Sequence, residues 1–409
     1  MLKRQWVNIK VKKDKIKIAF LNDTMGPYHY ARLKAANILS KCTFIEFSSV
    51  DHTNYWDTSS EHIQNKEILF TDEPITKKSK QEISKRLNNV LDTLKADVVL
   101  ISGWDATASL IALKWCIKNN TPSIILSESQ KHDFKRSFIK EIVKRLLLKL
   151  FDSAFVGGKN QIRYLSELGF NKQKIYPGCD LVDNDYFMKN SSIGHELRSH
   201  YRDKYKLPKK FFFTSCRFIE KKNLKFLISS FAKFQKDQSS WNLVIAGDGP
   251  MKKELMSLTE ELNIANKVFF PGYIQYDEIP IFYGLSSCFI LPSITEQWGL
   301  VINESLASGK PVIVSNRCGS APNLVEGKDV GYTFDPYDES DLISKMNLIS
   351  SEGKLEYFSK NTKNVISSFD NEHYSLNLNN AASIAVATYN SKKNLLSKLI
   401  LRFLIFTTK

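Results

Sequence analysis

Two glutamates with seven residues between them, Glu296 and Glu304, enclose a Trp298-Gly299 pair in Leu291-Pro-Ser-Ile-Thr-Glu-Gln-Trp-Gly-Leu-Val-Ile-Asn-Glu304. An apolar run ends at Leu291, a Pro-Ser turn follows, and Gly299 opens a helical pattern through Ser308. A glycine at a helix start lets backbone amides, here those of Gly299 and Leu300, approach an anion, and the helix dipole favours negative charge there. Carboxylates before and inside that helix can accept hydrogen bonds from sugar and ribose hydroxyls. Earlier in the chain another apolar run, Phe211–Ser215, is followed by Arg217 and, five residues on, Lys222. Fixed positive charge of this kind offsets the charge that builds on a departing diphosphate.

Such groups need a scaffold that brings strand ends together. Short apolar runs, Ile16–Leu21, Thr43–Phe47, Val98–Ile101, Ser123–Leu126 and Ala154–Val156, alternate with helix-length stretches such as Tyr30–Ser40, Ser79–Lys95 and Ala106–Lys118. The second half repeats the pattern with Phe211–Ser215, Asn242–Ala246, Lys267–Phe270, Cys288–Leu291 and Pro311–Val314. Strands apolar throughout and alternating with helices indicate parallel sheets covered on both faces. At 409 residues the chain exceeds what one core usually fills. The expected class is α/β, with two Rossmann-like doubly wound domains facing each other across a cleft. Residues 1–180 are expected to form the first domain and 181–374 the second, with 375–409 crossing back onto the first. The segment from Gly178 to Pro208 is polar and reads as an irregular connection. Ligands in such sheets bind beyond the carboxyl ends of the strands.

The Glu296 to Glu304 stretch resembles the donor motif of retaining glycosyltransferases with the GT-B fold, in particular glycosyltransferase family 4. Ala307-Ser-Gly-Lys-Pro-Val-Ile-Val-Ser315 resembles the strand and turn that follow it, and Gly319 and Gly331 continue the match. Arg217-Phe-Ile-Glu-Lys-Lys222 is similar to the family's Arg, four residues, Lys pattern. Ala246-Gly-Asp-Gly-Pro250 resembles its glycine turn, centred on Gly249, and Phe270-Pro-Gly-Tyr-Ile274 the segment whose backbone reads the nucleobase at Ile274. The resemblance covers most of Phe211 to Phe334. It implies that Glu296 meets the transferred sugar, Glu304 the ribose, and Arg217 and Lys222 the diphosphate, with Trp298 shaping the sugar pocket. It also implies transfer with retention of anomeric configuration, a nucleoside-diphosphate sugar as donor substrate, and no cofactor or metal. A non-catalytic nucleotide-sugar-binding protein and a sugar-nucleotide epimerase on the same fold are the alternatives.

The amino-terminal half is less distinctive. After the first apolar run comes Asn22-Asp-Thr-Met-Gly-Pro-Tyr-His-Tyr-Ala-Arg32, which looks like a bacterial subgroup of the family. If a helix starts near Pro27, His29 and Arg32 share a face, where they either meet an acceptor or phosphate, or cap the helix. Ser127-Glu128-Ser129 stands where relatives often have a histidine, making Glu128 an acceptor-side candidate. Asp183-Asn-Asp185 matches the Asp-x-Asp metal motif of another fold only superficially and is set aside.

The 58 Lys and Arg outnumber the 43 Asp and Glu, for a net charge of +15. Such an excess attracts polyanions. No array of aromatics interleaved with basic residues is present, so nucleic acid is not expected as a partner. Residues 134–151 and 391–409 carry apolar residues among many Lys and Arg. An anionic membrane surface is therefore a candidate partner, together with a glycan or lipid-linked acceptor. The apolar stripe of 134–151 is expected to pack within the fold and the basic face to meet lipid. The six cysteines are scattered without a C-x-x-C pair, which suits reduced thiols in a cytoplasmic protein, peripheral at the inner face of the cell membrane. Residues 1–15 are basic and lack the apolar stretch of a signal peptide.

Overall fold

The computed structural model describes residues 15–49, 65–133 and 136–408. The basic terminus at 1–14, Phe134, Lys135 and Lys409 lie outside them.

Seven strands make the first sheet: β1 (Lys17–Asn22), β2 (Lys41–Ser48), β3 (Lys66–Phe70), β4 (Val98–Ser102), β5 (Ser123–Ser127), β6 (Ser153–Val156) and β7 (Ile175–Pro177). Six make the second: β8 (Phe211–Ser215), β9 (Asn242–Ala246), β10 (Val268–Gly272), β11 (Cys288–Leu291), β12 (Val312–Ser315) and β13 (Gly331–Phe334). The strand orders are β3-β2-β1-β4-β5-β6-β7 and β10-β9-β8-β11-β12-β13, and every pairing is parallel. Both are therefore Rossmann-like sheets, and their order reverses between β1 and β4 and between β8 and β11. A crevice opens at each reversal because the connections leave the strands in opposite directions there.

Both faces of each sheet are buried, as the apolar runs require. In β1, Ala19 and Leu21 join one core cluster and Ile18 and Phe20 the opposite one. In β8, Phe211 and Phe213 face one layer and Phe212 the other. Burying a phenylalanine fully contributes about 1.5–3 kcal/mol, so the strand order is held from both sides.

The chain passes between the domains twice. It leaves the first sheet after β7, and it returns through 367–370 into the Asn371–Ala387 helix. Tyr374, Leu378, Ala381 and Ala385 of that helix join the core of the first domain, beside the Pro27–Leu39 helix. Asn184 ties the two passages together, its Nδ2 donating to the carbonyls of Ile366 (3.3 Å) and Phe369 (3.0 Å).

The connection from Gly178 to Pro208 is not irregular: it holds the helices Asn184–Ser191 and His195–Tyr205. No residue of the second helix is fully buried and only Phe187 and Ser191 of the first are, while Tyr186, Tyr201 and Tyr205 pack partly buried against the core of the second domain. Strands β3, β7 and β13 also lack an uninterrupted apolar run. The 134–151 stripe differs from expectation too. Its helix is Phe138–Leu148, and only Leu147 and Leu148 are buried, while Phe138 is 81% exposed and Ile139 and Ile142 also face outward. The tail helix, Leu395–Thr407, packs beside it and exposes Leu395, Leu396, Leu399, Phe403 and Phe406. Among the described residues, no helix is long and apolar enough to cross a membrane.

Candidate functional site

The loops that follow β8 and β11 leave the second sheet at its reversal point, and they carry the predicted donor residues. Gly299 caps the Leu300–Ala307 helix at φ +92°, a left-handed conformation that side chains disfavour. An added Cβ would also meet Leu291 at 3.1 Å and the Glu296 side chain at 3.3 Å. Glu296, in the loop before the helix, pairs with Lys222 of the turn after β8. Ser293 Oγ donates to the same carboxylate oxygen at 3.3 Å. The two loops are also joined through the backbone, Ile294 N–H donating to Lys221 O at 2.9 Å. Arg217 is exposed, and it takes part in no ion pair among the described residues.

Glu304 lies within the helix and is half-buried. Tyr283 Oη donates to its Oε2 at 2.7 Å. Burial pushes the Glu304 carboxyl up to about 7, and the Tyr283 hydrogen bond pulls the other way. Gly249 rests against the Phe218 backbone, and Phe218 N–H donates to Asp248 O at 2.8 Å, knitting the glycine turn to the Arg217 turn. The Ile274 side chain is buried in the domain core and Leu300 packs against that core.

Trp298, the predicted shaper of the sugar pocket, lies buried where the two domains meet. It is 2% exposed, its Nε1 donates to Asn303 Oδ1 at 2.9 Å, and its ring packs on Phe369. A Cβ added to Gly157 of the first domain would come within 2.7 Å of the ring. Trp298 is thus a seam residue between the domains, and it leaves the wall of the cleft to polar groups.

Opposite, the loops after β1, β4 and β5 frame a pocket of about 410 Å³ that also takes in Gln297 from the donor side. His29 and Arg32 both border it, but each is already occupied. The Pro27–Leu39 helix does start at Pro27, and His29 Nδ1 accepts the Gly26 N–H at 2.9 Å, closing the helix cap. Burial, then the charge of Arg32, holds the imidazole well below its usual range, so it is neutral at pH 7. Arg32 is buried and donates through Nη2 to Asp180 Oδ1 at 2.8 Å, with Glu128 3.7 Å from Nη1. Burial and then Glu128 push the Asp180 carboxyl up, and Arg32 opposes them. Glu128, Cys179 and Asp180 could together hold a metal ion by spacing, yet the guanidinium supplies the positive charge within the same cluster. Asp183 Oδ1 accepts the Tyr186 N–H at 2.9 Å and so caps a helix.

Residues that spacing did not single out also build this seam. Gln130 and Gln161, both fully buried, reach from the first domain to the backbone of the Glu296 loop. Asp180 and Tyr283 fix Arg32 and Glu304 in turn. Only Gln161 had a local signal, as the third residue of a helix after Gly157-Gly158, where a glutamine can return a cap bond.

Residues 198–365 match the family model described as glycosyl transferases group 1. Over 126 residues the chain is 36% identical to the alpha-monoglucosyldiacylglycerol synthase of Streptococcus pneumoniae, covering 31% of this chain and 28% of that protein. Over 226 residues it is 26% identical to a GDP-mannose-dependent alpha-(1-6)-phosphatidylinositol monomannoside mannosyltransferase of Mycobacterium tuberculosis, covering 52% and 57%. The chain thus spans between about a quarter and three fifths of the length of these relatives. Its fold is that of a Rickettsia africae glycosyltransferase (TM-score 0.70, 17% identity, 92% of this chain and 100% of that one). It is equally that of Anabaena HepE solved with UDP and glucose (TM-score 0.71, 17% identity, 90% and 99%).

Proposed function

We propose that this chain, whose residues 198–365 carry a group 1 glycosyl transferase domain on a GT-B fold, transfers a sugar from a nucleoside-diphosphate sugar to a glycan or lipid-linked acceptor. The observation that carries the reading is the Lys222–Glu296 pair at the reversal point of the second sheet, facing the polar pocket of the first. The diphosphate lies by Arg217, Lys222 and the amides at Gly299 and Leu300, where positive charge stabilises it as it departs. Glu296 stands against the transferred sugar and Glu304 accepts from the ribose. The bond from the anomeric carbon to phosphate breaks, a bond to the acceptor oxygen forms, and the acceptor proton passes to the leaving phosphate. Retention of configuration and independence of metal follow the family 4 pattern of these residues.

The acceptor belongs to surface polysaccharide or glycolipid assembly at the cytoplasmic face of a bacterial membrane. Two curated relatives are named for lipid products or substrates, a glucosyldiacylglycerol and a phosphatidylinositol monomannoside. The exposed apolar residues of the Phe138–Leu148 and Leu395–Thr407 helices stand among Lys140, Lys149, Lys398 and Arg402, a composition suited to anionic lipid. The test is a panel of nucleotide-sugars with nucleoside-diphosphate release as readout, with and without lipid extract. Release above the background of Glu296→Ala with one donor supports transfer. Binding without release from any donor overturns it in favour of a binding protein.

A further inference from the structure

The loop that carries Glu296 is held from the opposite domain. Gln130 follows β5, and Gln161 opens the Lys159–Glu167 helix after β6. Gln130 Nε2 donates to the carbonyl of Glu296 at 2.8 Å and to that of Arg317 at 3.1 Å, while its Oε1 accepts from Asn160 at 2.9 Å. Gln161 Nε2 donates to the carbonyl of Gln297 at 2.7 Å and to that of Glu128 at 3.3 Å, while its Oε1 accepts the Gly158 N–H at 3.0 Å. Each amide therefore anchors its oxygen in the first domain and spends donors on consecutive carbonyls of the second. Both side chains are at most 1% exposed, so water cannot replace these bonds.

The spacing leaves little slack. A Cβ at Gly319 would lie 1.8 Å from the Gln297 carbonyl oxygen and 2.7 Å from Gln161 Nε2. Without Gln130, the Glu296 carbonyl keeps one partner from within its own domain, the Gly319 N–H at 2.9 Å. Gln161 also touches the backbone of Glu128, so one side chain links the pocket wall of the first domain to the donor loop of the second.

We propose that Gln130 and Gln161 are positioning residues that set the Glu296 carboxylate through its own backbone, so that the donor carboxylate is in register only while the two domains touch. This rests on the transferase reading above. An error of about 1 Å in a reacting group can lower a rate about 100-fold, and the glutamines act on such a displacement without touching the ligand.

The test uses the full chain with Gln130→Met and Gln161→Met, singly and together, and Gln161→Glu, which keeps the oxygen that caps the helix. The turnover number, the KM for the donor, the affinity for nucleoside diphosphate and the thermal midpoint are measured for each. The turnover number is expected to fall about 10- to 100-fold, with nucleoside-diphosphate affinity within about 3-fold of wild type in folded protein. Because the bonds act through one loop, Gln130→Met is expected to add little in a Glu296→Gln background. Folded variants with unchanged turnover, loss of nucleoside-diphosphate affinity in step with rate, or full multiplication of effects with Glu296→Gln would each overturn the inference while leaving the transferase reading intact. No turnover by wild type with any donor would overturn both.

Discussion

Lys222 and Glu296 form a direct ion pair across two loops that lie 74 residues apart in the chain. Their side chains are only 15% and 14% exposed. Burial, the largest single influence, would lower the Lys222 amine, but the charge and hydrogen bond of Glu296 together with the neighbouring Cys216 and Cys318 outweigh it, and the amine ends above its ordinary value. The cation is therefore kept charged before any donor arrives. On the proposed reading, a diphosphate entering the site would meet a group that is already positive.

Replacing Lys222 with alanine removes that charge and leaves Glu296 half-buried without its partner. Turnover is expected to fall about 100- to 1,000-fold, and Glu296→Ala to fall comparably. Steady-state nucleoside-diphosphate release on a cognate donor checks both. Rates within a few-fold of wild type would remove the pair from the chemistry.

Donor affinity is expected to depend on pH through Glu304. Its carboxyl titrates at about 7 in the free protein, above its ordinary 4.5, because it is buried. The raised value favours the protonated form, so this group's contribution to fold stability is full below 4.5 and is lost as pH rises through about 7. Binding runs the other way, since ribose hydroxyls need the ionised oxygens as acceptors. Affinity should rise with pH to about 7 and then level off, with proton release on binding below that value. Tyr283→Phe removes a hydrogen bond that favours ionisation, and should move the midpoint upward. Titration calorimetry in buffers of different ionisation enthalpy reads the proton directly; a flat pH profile would sink the assignment.

Trp298→Ala is expected to act on folding before specificity. The ring is buried between Phe369 and the Gly157-Gly158 turn, and its removal strands Asn303 Oδ1 as well. A loss of about 3–5 kcal/mol is expected from denaturant unfolding. An unchanged midpoint with altered donor preference would instead return Trp298 to the sugar pocket.

Phe138→Asp together with Phe406→Asp should weaken binding to vesicles rich in anionic phospholipid and leave turnover on a soluble acceptor near wild type. Phe138 and Phe406 are 81% and 82% exposed, so neither change should unsettle the core. Flotation at low and high salt separates apolar insertion from charge attraction. Wild-type protein that fails to float at low salt would end the membrane reading.

The turn from Leu291 to Glu304 was legible as structure because what shapes it is local. A glycine needed at positive φ, a strand end before it and carboxylates at fixed offsets all fall within Leu291 to Glu304. Gln130 and Gln161 were not legible because their partners lie 166 and 136 residues away. An amide that will serve another domain has the same sequence neighbourhood as one that faces water. The burial of Trp298 was not legible for a related reason: an aromatic beside a glycine reads alike whether it faces a ligand or a neighbouring turn. In the Phe138–Leu148 helix, periodicity told correctly that an apolar face exists and could not tell that Phe138 and Ile139 stay uncovered.

The double passage between the domains, tied at Asn184, has a mechanical consequence. Two adjacent straps can fold about the line that joins them, but they oppose twisting of one domain against the other. Gape therefore becomes nearly a single coordinate, and one pair of reporter labels on the two rims would follow it in full.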